Sequence, residues 1–242
     1  MKIIEEPQLE IKSKLPRFVD VLLYPASLHG ISYIAIFLFL SILINLIDKF
    51  VFSYAYYYGG VFSAILSILL FGYIIYYFGY CIFDSSKGNK RAPDISIAHT
   101  PNQRDLISQI LYLLGAFAIC FWPTAVYYIF TEQRDLRFWV LWGCGMFFLP
   151  VSLLRVVLFD AIDALNPIMI IGSILKTFLP YCGLVLSFCV FGGFAAAVFW
   201  LLKCLPVLHF FSNVAGFYLA FVAAHLLGRF YWQNKDKLDW GI

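Results

Sequence analysis

Long apolar runs separated by short polar segments set the pattern of this chain. Six runs, at 27–47, 60–82, 106–130, 138–158, 181–202 and 211–231, carry almost no interior charge. Crossing about 30 Å of hydrocarbon at about 1.5 Å per residue takes roughly 20 apolar residues in a helix, so each run predicts a transmembrane helix. The strands of a membrane barrel would instead alternate apolar and polar positions over about 10 residues, which these runs do not. The pattern therefore predicts an all-α polytopic bundle forming one integral membrane domain over 1–242. Within it, 1–26 is an N-terminal tail with an interfacial helix, 27–231 the six-span bundle and 232–242 a C-terminal tail.

Two shorter segments are amphipathic. Leu15, Phe18, Val19, Leu22 and Leu23 follow helical spacing, with Arg17 and Asp20 off the stripe and Pro25 closing it, which predicts a helix lying in the membrane interface. Over 167–179, Ile171, Ile174, Leu175, Phe178 and Leu179 repeat that spacing, while Gly172, Ser173, Lys176 and Thr177 take the other face. Asn166 suits the N-cap and Pro167 the first turn, and Pro180 is expected to separate this helix from the next span. The order of interfacial helix, proline and two spans thus occurs twice, which fits either a parallel internal repeat or a chance recurrence of generic apolar sequence. The one polar stretch of any length, 84–105, holds too few apolar residues to form a domain.

Charge gives the direction. With six spans, thirteen of the 17 Lys and Arg residues fall on the side of the N-terminus, and only Lys49, Arg134, Arg137 and Lys203 on the other. Basic residues in short loops mark the cytosolic side, so both termini are expected in the cytosol, with Tyr54, Tyr56, Tyr57 and Tyr58 at the outer interface. The first twenty residues mix acidic and basic side chains and lack a short apolar core with a cleavage site, so no cleavable signal peptide is expected.

Composition agrees. Of 242 residues 62% are hydrophobic, 20% aromatic and 13% charged, and the mean hydropathy is +0.85, against about 25% charged residues in soluble domains. The net charge of +3 is spread over loops and tails, so nothing points to nucleic acid as a partner. Cys81, Cys120, Cys144, Cys182, Cys189 and Cys204 form no CxxC pair and read as small buried apolar side chains. His29, His99 and His209 are isolated in sequence, so no metal site is expected, and no nucleotide, nucleophile or zinc-enzyme motif suggests a cofactor.

Polar chemistry concentrates near the predicted cytosolic leaflet. Asp160 and Asp163 follow Arg155 at a spacing that would put both carboxylates on one helical face, as cation binding or proton transfer would need, and Asn166 follows. His225 and Arg229, four apart in the last span, end at the same leaflet, so these six residues form one candidate polar cluster. Pairing that fixes helix packing is the simpler reading of it, and proton relay the sharper one. Asn45, Asp48 and Asn213 read as helix ends or interhelical hydrogen-bonding groups, and Gly143, Gly145, Gly192, Gly193 and Ala195 to Ala197 as sites of close helix approach.

The segments RFVDVLLYP, FLPVSLLRVVLFDAIDALNP and AHLLGRFYWQNKDKLDW together resemble a group of uncharacterised bacterial multi-pass proteins of planctomycete-like and verrucomicrobial lineages, loosely similar to Yip-type membrane proteins. The resemblance implies a bacterial inner-membrane protein and brings no activity or catalytic residue with it. Three functional classes follow: a non-catalytic accessory or scaffold subunit, in contact with lipid and with other membrane subunits; a small-solute or ion transporter; and an intramembrane enzyme.

Overall fold

A computed structural model of the chain describes residues 21–54, 58–93, 103–204, 209–238 and 240. In chain order its helices are α1 (Leu28–Tyr54), α2 (Tyr58–Ser86), α3 (Gln103–Thr131), α4 (Leu136–Phe159), a 3-10 turn (Ile162–Leu165), the short α5 (Pro167–Lys176), α6 (Phe178–Cys204) and α7 (His209–Leu238). The described residues contain no strand. Each of the six long helices carries a stretch long and apolar enough to cross a bilayer, and the protein is an all-α integral membrane bundle. At 24 to 30 residues these helices reach about 36–45 Å. They therefore overrun the predicted spans, and α7 continues to Leu238 where the sequence predicted a tail after 231. The predicted helix over 15–23 lies outside the described residues except for 21–23, which are helical, and the tyrosine cluster at 54–58 has no described side chains.

Helices α2 and α7 form the centre, with α1 laid along both, and α3 pairs with α4. Burial is uneven along the helix axes. In α4 every residue from Pro150 to Val157 is buried, whereas only Gly145 is buried among 136–149. In α7 burial deepens from Phe221 onward, and in α2 from Tyr76 onward. The bundle is consequently tight at the end where α2, α4 and α7 finish and splayed at the other.

Aromatic rings fill the tight end because they are the largest apolar groups available there. Tyr33 stacks on Tyr77 at 4.3 Å, Tyr77 meets Phe221 edge-on at 5.0 Å, and Phe37 touches Tyr73, Tyr77, Phe217 and Phe221, which joins α1, α2 and α7. The closest backbone approach needs a glycine. A Cβ on Gly228 of α7 would stand 2.4 Å from Ser85 Cβ and 2.5 Å from the Ile82 carbonyl of α2. Gly145 does the same for α3 and α4, with its α-carbon against the Cys120 carbonyl.

Other small residues behave differently from the sequence expectation. Nothing lies within 4 Å of a Cβ at Gly143, Gly192 or Gly193, so these permit no close approach inside this chain. Among the described side chains of α6 only Tyr181 and Leu184 are buried, and the helix rests on α7 with most of its described surface outward. Among the cysteines Cys81 is buried, while Cys144 and Cys189 are exposed on outward helix faces, where lipid provides the apolar surroundings that sequence reasoning placed inside the protein.

Candidate functional site

The tight end holds two polar clusters where the sequence suggested one. The first is built on Arg155. Helix α4 ends at Phe159 because Asp160 adopts a left-handed conformation (φ 46°), with its N–H bonded to the Val156 carbonyl. Aspartate tolerates that region better than most side chains. The chain then makes the 3-10 turn, and Asn166 accepts from the Ile168 N–H at 3.0 Å to start α5, with Pro167 in its first turn. This reversal folds α5 back against the last turns of α4, on Arg155.

Arg155 is only 5% exposed. Its Nε donates to the Ala164 carbonyl at 3.0 Å, Nη1 to Ser173 Oγ at 3.3 Å and Nη2 to Met169 Sδ at 3.3 Å. The guanidinium lies against Phe159 at 4.9 Å and Trp240 at 5.0 Å, both cation–π contacts. Trp240 donates Nε1–H to Ser173 Oγ at 3.1 Å and stacks on Tyr231 of α7. Ser173 in turn donates to the Met169 carbonyl. One buried cation thus ties α4, the 3-10 turn, α5 and the chain end together, and each of its hydrogen-bond acceptors is neutral.

The expected carboxylate pair does not form as drawn. Helix α4 ends at Phe159, ahead of both residues, and Asp163 lies in the separate 3-10 turn, so Asp160 and Asp163 do not share a helical face, and both side chains are exposed at the turn. Asn166 is also exposed and serves as the N-cap. The amphipathic reading of 167–179 needs a similar revision. Helix α5 stops at Lys176 with Thr177 as its C-cap, ahead of Pro180, which falls in the first turn of α6. Ser173 and Thr177 face the protein, while Ile171, Leu175, Phe178 and Leu179 face outward. Ser173 and Thr177 are consumed by Arg155 and by backbone carbonyls, Ile174 of the expected apolar face is buried against the protein, and Lys176 of the expected polar face is exposed.

The second cluster surrounds His225, which is 2% exposed. Its Nδ1 is 2.8 Å from Ser85 Oγ on α2, and its ring stacks on Tyr24 with centroids 4.0 Å apart. The Tyr24 hydroxyl donates to the Cys81 carbonyl, and burial pushes this phenol above its ordinary pKa. Arg229, one turn on, donates to the Gly88 carbonyl at 3.5 Å, where Gly88 turns through φ 94° under the Trp232 ring. His225 and Arg229 therefore do share a face, but that face meets α2 and the turn after it. Asp84 completes the region, with Oδ1 accepting from Asn89 at 2.6 Å and Oδ2 buried without a hydrogen-bond partner.

At the splayed end Asp48 of α1 accepts from Ser63 Oγ of α2 at 2.8 Å, an interhelical bond of the kind the sequence predicted. Among the described residues no group of three His, Cys, Asp or Glu side chains could hold a metal ion. Ser85 and Trp240 were not legible as site residues, since a serine at the start of a polar loop and a lone tryptophan carry no spacing signal, and Ser173 was legible only as part of a polar helix face. Compared with protein-family models, curated proteins and solved structures, the chain matches none.

Proposed function

We propose that this chain is a non-catalytic subunit, accessory or scaffolding, of a larger complex in the bacterial inner membrane, with both termini in the cytosol. The carrying observation is α6, in which none of the described side chains from 185 to 201 is buried and Gly192 and Gly193 have open space where a side chain would stand. Small residues on an otherwise apolar helix let a second transmembrane helix come close, and association in lipid is driven by that packing. The polar groups at the tight end support the same reading, since Arg155 and His225 are held in internal contacts. The family resemblance noted above is compatible with it.

Replacing Gly193 by Leu, on a face free of internal contacts, tests the reading. Purified in mild detergent, G193L is expected to lose co-purifying membrane subunits while its own unfolding temperature stays unchanged. An intact assembly in G193L would overturn the reading. Asp160→Asn with Asp163→Asn separates it from transport: abolished solute flux with an intact assembly would favour a transporter. That second reading has one observation of its own, a cleft of about 250 Å³ between α1 and α2 lined by Ser41, Asn45 and Ser67.

A further inference from the structure

The splayed end contains a second cleft, between α3 and α4, of about 230 Å³. Its walls are Phe121, Tyr128, Phe138 and Trp142, Thr124 lies in its lining, and Arg134 comes from the turn that joins the two helices. Thr124 is the unusual member. Hydroxyls inside membrane helices ordinarily bond the carbonyl one turn back. Ser32, Ser41, Ser67, Ser152, Ser173 and Ser187 all do so here, each to the residue four before it. Thr124 is 5% exposed, and its hydroxyl has no hydrogen-bond partner. A buried hydroxyl with no partner has lost its water without replacement, and an acceptor entering the cleft would restore that bond.

Three features say what that group is. Thr124 lies seven residues before Thr131, the end of α3, hence about 10 Å below the turn. Arg134 at the turn is exposed and stands over the Tyr128 ring at 5.5 Å, its charge at the mouth of the cleft. Asp135 beside it is already engaged, accepting from the Tyr127 hydroxyl at 2.7 Å and from the Phe138 N–H at 3.1 Å. These bonds, the tyrosine's first, hold its carboxyl below the usual carboxylate range and fix the turn that carries Arg134. A cation over Tyr128, a hydroxyl donor one helical turn (about 6 Å) deeper and aromatic walls follow the order of a lipid's phosphate, glycerol ester and acyl chain. We propose that this cleft binds one glycerophospholipid, its phosphate at Arg134 and an ester carbonyl accepting from Thr124.

The test uses full-length protein stripped of lipid and titrated with palmitoyl-oleoyl phosphatidylethanolamine, read by native mass spectrometry and by the rise in unfolding temperature. One lipid is expected to be retained. Thr124→Val, which keeps the shape and removes the hydroxyl, should weaken binding about three- to tenfold without lowering the unfolding temperature of the lipid-free protein. Thr124→Ser should restore it, and Arg134→Gln, at an exposed position that leaves the fold intact, should weaken it about tenfold. Diacylglycerol with the same chains should bind at least tenfold more weakly than the phospholipid. Wild-type affinity in R134Q, or diacylglycerol binding as tightly as the phospholipid, would overturn the proposal. So would wild-type affinity in a folded T124V.

Discussion

Arg155 carries the tight end because a guanidinium offers five N–H donors in a planar fork, and three neutral acceptors, one from the 3-10 turn and two from α5, converge on it. Lysine would keep the charge but could not reach the Ala164 carbonyl, Ser173 and Met169 from one rigid plane, nor lie flat between Phe159 and Trp240. R155K is therefore expected to destabilise the folded protein by roughly 1–3 kcal/mol, the cost of leaving buried polar groups unsatisfied. W240F keeps an aromatic face over the cation and loses only the Nε1–H bond to Ser173, so its loss should be smaller, about 1 kcal/mol. Thermal unfolding in a single detergent ranks the two. If R155K unfolds at the wild-type temperature, the fork is not what holds the α4 to α5 reversal. At this scale the sequence drew Arg155, Asp160, Asp163, Asn166, His225 and Arg229 as one cluster, since polar residues in an apolar chain stand out. Arg155 and the His225–Arg229 pair instead sit in separate contacts, and the other three are exposed. The sequence could not name the partners of Arg155, because a carbonyl, a methionine sulfur and a distant tryptophan are selected by the path of the chain.

Among the elements, the six long helices were legible because hydrophobic length alone specifies them. Where a helix stops was less so. The break at Asp160 rests on a single left-handed residue, and the Asp-Ala-Ile-Asp sequence is equally compatible with a continued helix. Glycine roles were legible only in kind. Gly228 and Gly193 look alike as small residues in apolar spans, yet a Cβ at Gly228 would stand 2.5 Å from the Ile82 carbonyl, whereas nothing lies within 4 Å of one at Gly193. G228A must force α7 away from α2, at roughly 1–3 kcal/mol or more, and would pull His225 from Ser85. G193A should be neutral, or better by a few tenths of a kcal/mol through helix propensity. Comparing the two single variants by unfolding temperature separates a real contact from a merely small residue, and equal effects would contradict the α2–α7 packing described here.

For the whole molecule, the lengthwise asymmetry of packing and that of charge fall along the same axis. The tight end carries Lys87, Arg91, Arg229, Lys235 and Lys237, with Trp232 and Trp240 among them, while Lys49, Arg134 and Arg137 lie at the splayed end. A basic collar holds its end of a bundle in the cytosol during insertion, so the closed polar clusters should face the cytosol and the open clefts the outer leaflet. An even number of spans makes a strict demand on topology. A fluorescent protein fused after Ile242 should fold and report a cytosolic chain end. An alkaline phosphatase inserted after Gln133, in the α3–α4 turn, should be active, because that enzyme matures only outside. The same phosphatase placed after Asn89 should be inactive. If the reporters after Gln133 and Asn89 gave the same compartment, α3 would not cross, and both the charge argument and the separation of the two ends would fail. If only the sign were reversed, with phosphatase active after Asn89 and inactive after Gln133, the fold would stand. The lipid cleft would then be assigned to the inner leaflet, where its phosphate site would draw on a different pool of lipid.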